Sequence, residues 1–223
     1  MSFANEVYTI PISGGDEISI YHSELSTIAA TSLLETLQGE NCSCIPYFTF
    51  AVAYRRLNDL PSSLLFLHAA EKLTLGTSPA LAAARQQILC ALASASLSGG
   101  NLAKTLATTT DTAVQSALVE EVFTKIDSYY HESDKIDQFF ETTWVAKGAT
   151  FLQRHALTVN TDEVQAKSYL DRAEYLFELG FKEAKEEQPV KLPFYLGMAA
   201  VKFMKEDYAA AQVRTSKPRT PPA

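Results

Sequence analysis

Four histidines, three cysteines and one arginine pair are the side chains here with the most chemistry to offer. His22, His68, His131 and His155 are scattered along the chain. His131-Glu132 begins like the zinc-binding helix of a metalloprotease, but Lys135 stands where the second histidine is required. Cys42 and Cys44 are separated by a single residue and lack a nearby Cys or His pair, so the spacing disfavours zinc. Residues 98–105, Ser-Gly-Gly-Asn-Leu-Ala-Lys-Thr, glance at a phosphate-cradling loop. Ser98 and Ala103 occupy the two positions that must be glycine. A nucleophile elbow, Gly-x-Ser-x-Gly, is missing. Arg55-Arg56 is expected to be a solvated pair, with contact to a carboxylate as the alternative. No catalytic, cofactor-binding or metal-binding residue is therefore assigned, and the expectation is a protein without a cofactor.

The elements that would position these residues are legible in composition. The chain has 223 residues, 47% hydrophobic and 20% charged, the balance of a globular protein. A net charge of −7 argues against broad binding to nucleic acid or anionic membranes. No run of about 18 apolar residues predicts a membrane span. The first twelve residues lack the basic start and apolar core of a secretory signal. Three cysteines, few and odd in number, suit a reducing compartment, cytoplasm or nucleus. Nine glycines and nine prolines are few for a turn-rich sandwich or barrel, and no proline lies between Pro79 and Pro189.

Period points the same way. Val114, Ala117, Leu118, Val122, Ile126 and Tyr129 form one helical stripe, and Val164, Tyr169, Leu170, Ala173, Leu176 and Phe177 form another. Residues 1–22 differ. Apolar stretches 7–12 and 18–21 around Ser-Gly-Gly-Asp-Glu read as a small hairpin or, equally, an extended arm. A helix is expected over residues 23–38, ending at Gly39. Residues 23–213 read as one helical domain, and residues 214–223 as a disordered tail.

Internal repetition is the clearest signal. Tyr47, Phe50 and Tyr54 are large, Ala51, Ser63 and Ala70 are small, and Asn58-Asp59 is a polar turn. Small residues let two antiparallel helices approach, while aromatics fill the seam to the next pair. Trp144, Gly148 and Phe151 repeat the spacing of Tyr47, Ala51 and Tyr54, and Ala166, Leu170 and Ala173 repeat Ser63, Leu67 and Ala70. Fifteen positions separate Phe151 from Ala166 against nine from Tyr54 to Ser63, an insertion expected near residues 158–161. Tyr195, Ala199 and the run 206–211 form a partial third copy, and Leu89, Ala93 and residues 100–102 a weak fourth. This pattern resembles the tetratricopeptide (TPR) repeat, with irregular spacing, and is also similar to the irregular helices of fungal meiotic chromosome-synapsis proteins.

The resemblance implies an all-α fold, a TPR-like superhelix of antiparallel helical hairpins behind the N-terminal arm or hairpin. It also implies a concave groove lined by the first helix of each hairpin. By that register the partner-binding residues are Phe48, Val52, Arg55 and Arg56, then Val145, Ala149, Leu152 and Gln153, then Leu196, Ala200 and Phe203. The lining is mostly apolar and lacks the Lys and Asn of adaptors that hold a carboxylate. The expected function is a non-catalytic protein–protein scaffold or adaptor whose groove takes an amphipathic helix or extended segment. An alternative is an enzyme, or an enzyme's regulatory subunit, with a dispersed site. The helix at 23–38 could close the groove. The last copy reads as a full first helix over 195–206, a turn at Asp207-Tyr208 and a short second helix. That would leave Met198, Val201 and Met204 uncovered and open to self-association.

Overall fold

The computed structural model describes residues 5–12, 15–76, 78–98, 108–139, 141–184 and 188–215. The fourth repeat copy's residues 100–102, most of the phosphate-loop-like segment and residues 216–223 of the tail expected at 214–223 lie outside them, while Arg214 and Thr215 belong to the last helix. Two short strands, β1 (Val7–Pro11) and β2 (Glu17–Tyr21), precede eight α-helices among the described residues. These are α1 (Ala30–Gly39), α2 (Cys44–Arg56), α3 (Leu60–Lys72), α4 (Pro79–Ser98), α5 (Thr112–Ile136), α6 (Glu141–Thr158), α7 (Glu163–Glu183) and α8 (Gln188–Thr215). The all-α class is thus correct apart from one two-stranded sheet. Two compact units divide the chain, Met1–Gln138 and Phe139–Ala223.

In the first unit the N-terminal segment is the hairpin rather than a free arm. Val7 pairs with Tyr21 and Pro11 with Glu17, antiparallel. Gly15, at φ +92, turns the connection, a backbone region that side-chain-bearing residues avoid. Tyr8, Ile10 and Ile20 point to the buried side. The expected helix over 23–38 begins only at Ala30. Residues 22–24 form a single 3-10 turn, and the Thr27 hydroxyl donates to the Glu24 carbonyl. Such side-chain bonds to local backbone compete with helix. At the far end the left-handed residue is Asn41 (φ 51), not Gly39, and Asn58 (φ 60) does the same between α2 and α3. Asp59 then caps α3, its carboxylate accepting from the Ser62 amide at 3.1 Å.

α2 and α3 form the first predicted hairpin. Tyr47, Ala51 and Tyr54 on α2 and Ser63, Phe66, Leu67 and Ala70 on α3 are all buried. The Ser63 hydroxyl donates to the Ala51 carbonyl at 2.7 Å, which requires two backbones in close approach. Tyr54 stacks on Phe66 at 5.4 Å. α4 is long and apolar enough to match a membrane span by length and composition. Its Ile88, Leu89, Leu92, Ala93 and Ala95 are buried within the unit, and Gln86 on it donates to the carbonyls of Ser133 and Asp137 at the end of α5.

The second unit is the α6–α7 hairpin with α8 laid on it. The six extra residues lengthen the hairpin instead of bulging from it. α6 continues to Thr158, and His155 meets the Ala166 carbonyl beyond the level at which α2 has already ended. The core comprises Trp144, Leu170, Ala173, Phe177, Ala184, Phe194 and Val201. Its tightest feature is steric. A Cβ at Gly148 would stand 2.6 Å from the Phe177 ring; one at Gly197 would meet the same ring, and one at Gly180 the Phe194 ring, closer still. Phe177 is therefore held between a glycine of α6 and a glycine of α8.

Residue by residue, glycine inside a helix costs about 0.5–1 kcal/mol against alanine. Here a methyl group cannot be accommodated by swinging Phe177 aside, because the opposite glycine wall is already in contact. Gly148→Ala and Gly197→Ala are each expected to destabilise the protein by roughly 1–3 kcal/mol through overpacking. Gly39→Ala, in the last turn of α1 with open space around it, is the control and is expected to leave stability unchanged or raise it by up to about 1 kcal/mol. Urea titration of the full chain, read by far-ultraviolet circular dichroism, measures all three.

Candidate functional site

The predicted groove residues fall into three groups. On α2, Phe48 and Val52 are half-buried, while Arg55 and Arg56 are exposed. Neither arginine is merely solvated. Arg55 Nη2 donates to Ser94 Oγ of α4 at 2.7 Å. Arg56 Nη1 donates to Glu6 Oε2 at 2.6 Å, so the carboxylate alternative is the one observed for Arg56. On α6, Val145 and Leu152 are half-buried against the core of the second unit, and only Ala149 and Gln153 are exposed. On α8, Leu196 and Phe203 are 63% and 65% exposed, with Ala200 half-buried beside them.

Arg56 belongs to a polar clasp that ties the N-terminal hairpin to α2. Glu6 accepts from Arg56 and from the Tyr8 hydroxyl, and that hydroxyl also meets His22 Nδ1 at 2.8 Å. The Tyr8 ring packs on Phe50 at 5.7 Å. The Arg56 hydrogen bond, then that of Tyr8, holds the Glu6 carboxyl below its usual range. Burial, then the Glu6 bond, raises the Tyr8 phenol. Sequence pattern offers a carboxylate contact for the arginine pair but does not name its partner, because Glu6 lies 50 positions from Arg56.

α8 departs furthest from the sequence expectation. It runs unbroken from Gln188 to Thr215, through the turn expected at Asp207-Tyr208. The run Glu206-Asp-Tyr-Ala-Ala-Ala contains no glycine or proline, and alanine is the strongest helix former. Its inward face is also different. Phe194 and Val201 are fully buried, Gly197 abuts Phe177, and Met198 and Met204 pack against the core. The Met198/Val201/Met204 face expected to be open is thus closed. The open face is the opposite one. Leu192 (58% exposed), Tyr195 (55%), Leu196, Ala199 and Phe203 follow the i, i+3, i+4, i+7, i+11 spacing of one helix side.

Two anchors fix which way α8 faces. Lys205 pairs with Asp171 at 2.9 Å and with Glu174, both on α7, and the Glu174 bond foremost raises the Lys205 ammonium. Tyr195 lies edge-on to Phe181 at 4.5 Å, with Lys191 over that same ring. Tyr47 and Ala51, and Trp144 and Gly148, are buried in their hairpins; Tyr195 and Ala199, at the same spacing, are exposed. No protein-family model and no curated protein matches the chain.

Of the chemically capable residues, His155 is buried, and its Nδ1–H donates to the Ala166 carbonyl at 3.0 Å. His68 is half-buried beside Glu71, and His131 is exposed. The three cysteines are buried and form no disulfide. Among the described residues, no three His, Cys, Asp or Glu side chains gather as metal ligands.

Two measurements check these assignments. His155→Ala removes a buried hydrogen bond and leaves a cavity beside α7, whose Ala166 carbonyl keeps its helical bond, so about 1–3 kcal/mol of stability is expected to disappear in a denaturant titration. The clasp should respond to acid. Ionised Glu6 is favoured when folded, so its contribution is complete above the ordinary carboxylate range and fades as pH falls through the lowered folded value. Arg56→Gln is expected to speed amide exchange in β1 and β2 at neutral pH, leaving α3 unchanged. It should also remove the extra acid sensitivity of the hairpin.

Proposed function

We propose that this chain is a non-catalytic protein-interaction module, a short and irregular TPR-like array of helical hairpins that holds a partner on the open face of α8. One observation carries the reading. α8 is apolar on two opposite sides, and only one of them is covered by the described residues. A helix that is hydrophobic all round is normally buried all round. Contiguous exposed apolar residues at helical spacing mark a contact surface. Leu196 and Phe203, two of the residues expected from the sequence, are its most exposed large apolar side chains. Leu192, Tyr195 and Ala199 complete it. Lys202, exposed along its edge, gives the surface a cationic rim. The partner-binding role of Phe48, Val52, Arg55 and Arg56 is less well supported, since the arginines already bind Ser94 and Glu6.

A photoreactive amino acid at position 199 tests this in cells. Discrete adducts are expected from position 199 and not from position 153. Phe203→Glu or Leu196→Glu should reduce them by about thirtyfold, the loss of a large apolar contact near 2 kcal/mol. Circular dichroism should be unchanged, because both side chains point outward. Identical adducts from positions 199 and 153, or adducts insensitive to both charges, would remove the α8 face from the function.

A further inference from the structure

We infer that the occupant of the α8 face is a single amphipathic helix, antiparallel to α8, that places a small residue over Ala199 and so completes a third hairpin. This rests on the reading of α8 as a docking surface and adds what docks there.

The chain itself supplies the template. In the first hairpin the positions spaced like Leu192, Tyr195, Leu196, Ala199 and Phe203 are Cys44, Tyr47, Phe48, Ala51 and Arg55. Cys44, Tyr47 and Ala51 are buried and Phe48 is half-buried, while Arg55 at the far end is exposed and reaches Ser94 of α4. In the second hairpin they are Glu141, Trp144, Val145, Gly148 and Leu152, all buried or half-buried. In both, the following antiparallel helix reaches this side: Ser63 of α3 bonds to Ala51, and Phe177 of α7 lies on Gly148. The side that receives a helix twice is the side that α8 leaves open.

Position 199 then selects the kind of helix. Gly148 admits the Phe177 ring because it has no Cβ, and a Cβ there would stand 2.6 Å from that ring. Ala199 carries that Cβ. An occupant of the α7 kind, with an aromatic ring over this position, is excluded. Ala51 carries the same methyl group, and the small, hydroxyl-bearing Ser63 approaches its backbone closely enough to bond to the Ala51 carbonyl. An occupant of the α3 kind fits: small over Ala199, with large apolar residues a turn away to either side. Lys202 on the rim favours an acidic residue along its edge.

The test uses the full chain and two labelled peptides from its own sequence, residues 59–74 (the α3 segment) and 162–184 (the α7 segment), followed by fluorescence anisotropy. The α3 peptide is expected to bind saturably, at least tenfold more tightly than the α7 peptide or a scrambled α3 peptide. Phe203→Glu should abolish that binding, which separates docking on α8 from exchange with α3 in the first unit. Ala199→Gly should bring the α7 peptide to within about threefold of the α3 peptide by reopening a slot for the ring. If α3, α7 and scrambled peptides bind equally, the face is merely adhesive and the proposal fails. If no peptide binds while the photo-adducts at position 199 still depend on Phe203, the surface docks something other than such a helix. The interaction reading then survives without this proposal. Sedimentation showing a dimer that Phe203→Glu dissociates and the α3 peptide does not would make a second copy the occupant and overturn it. Loss of both adducts and peptide binding removes both readings.

Discussion

Phe177 needs two neighbours without side chains, and the second unit is arranged around that need. Gly148 supplies one wall from α6 and Gly197 the other from α8. Neither glycine is a favourable helix residue by itself, so the close approach they permit must return more than their intrinsic cost. The same contact sets the rotation of α8. With Gly197 turned inward, Phe194 and Val201 follow it into the core. Leu192, Leu196, Ala199 and Phe203 must then face away. The exposed apolar stripe is a geometric result of the interlock, and the Lys205 pairs to Asp171 and Glu174 hold the rotation from the rim.

A different economy holds the first unit. Its hairpin of strands is too small to be stable alone. It is joined to α2 by an aromatic contact, Tyr8 on Phe50, and by the carboxylate of Glu6, which serves both Arg56 and Tyr8. The polar part lies at the surface and the ring beneath it, so water screens the charges but not the packing. α2 thus carries α3 on one side and the strands on another.

Helix class and the first hairpin could be read from the sequence because each rested on local pattern. Ala51, Ser63 and Ala70 are small where helices touch, and Asn58-Asp59 supplies both the left-handed residue and the next helix cap. The errors have physical causes too. The late start of α1 comes from Ser and Thr hydroxyls bonding their own backbone, a competition that apolar spacing does not register. The turn expected at Asp207-Tyr208 followed from repeat length, whereas local propensity favoured continuation and prevailed. The open face expected at Met198, Val201 and Met204 follows from the short second helix of the last copy. Gly197, invisible to any hydrophobic pattern, is the residue that decides which face is open. Val164, placed on the apolar stripe of α7, is 82% exposed, and Ala166 two positions on takes the buried place. For Arg56 a carboxylate contact is legible as an alternative, but Glu6 as its partner, 50 positions away, is not.

Trp144 is the chain's sole tryptophan, buried in the second unit and edge-on to Phe139 at 6.0 Å. Indole emission therefore originates in one compact unit alone, while the peptide-bond absorption of the helices is shared by both. The molecule carries its own two-channel reporter. Whether its halves melt together or in succession is written in the difference between two spectra, without any label.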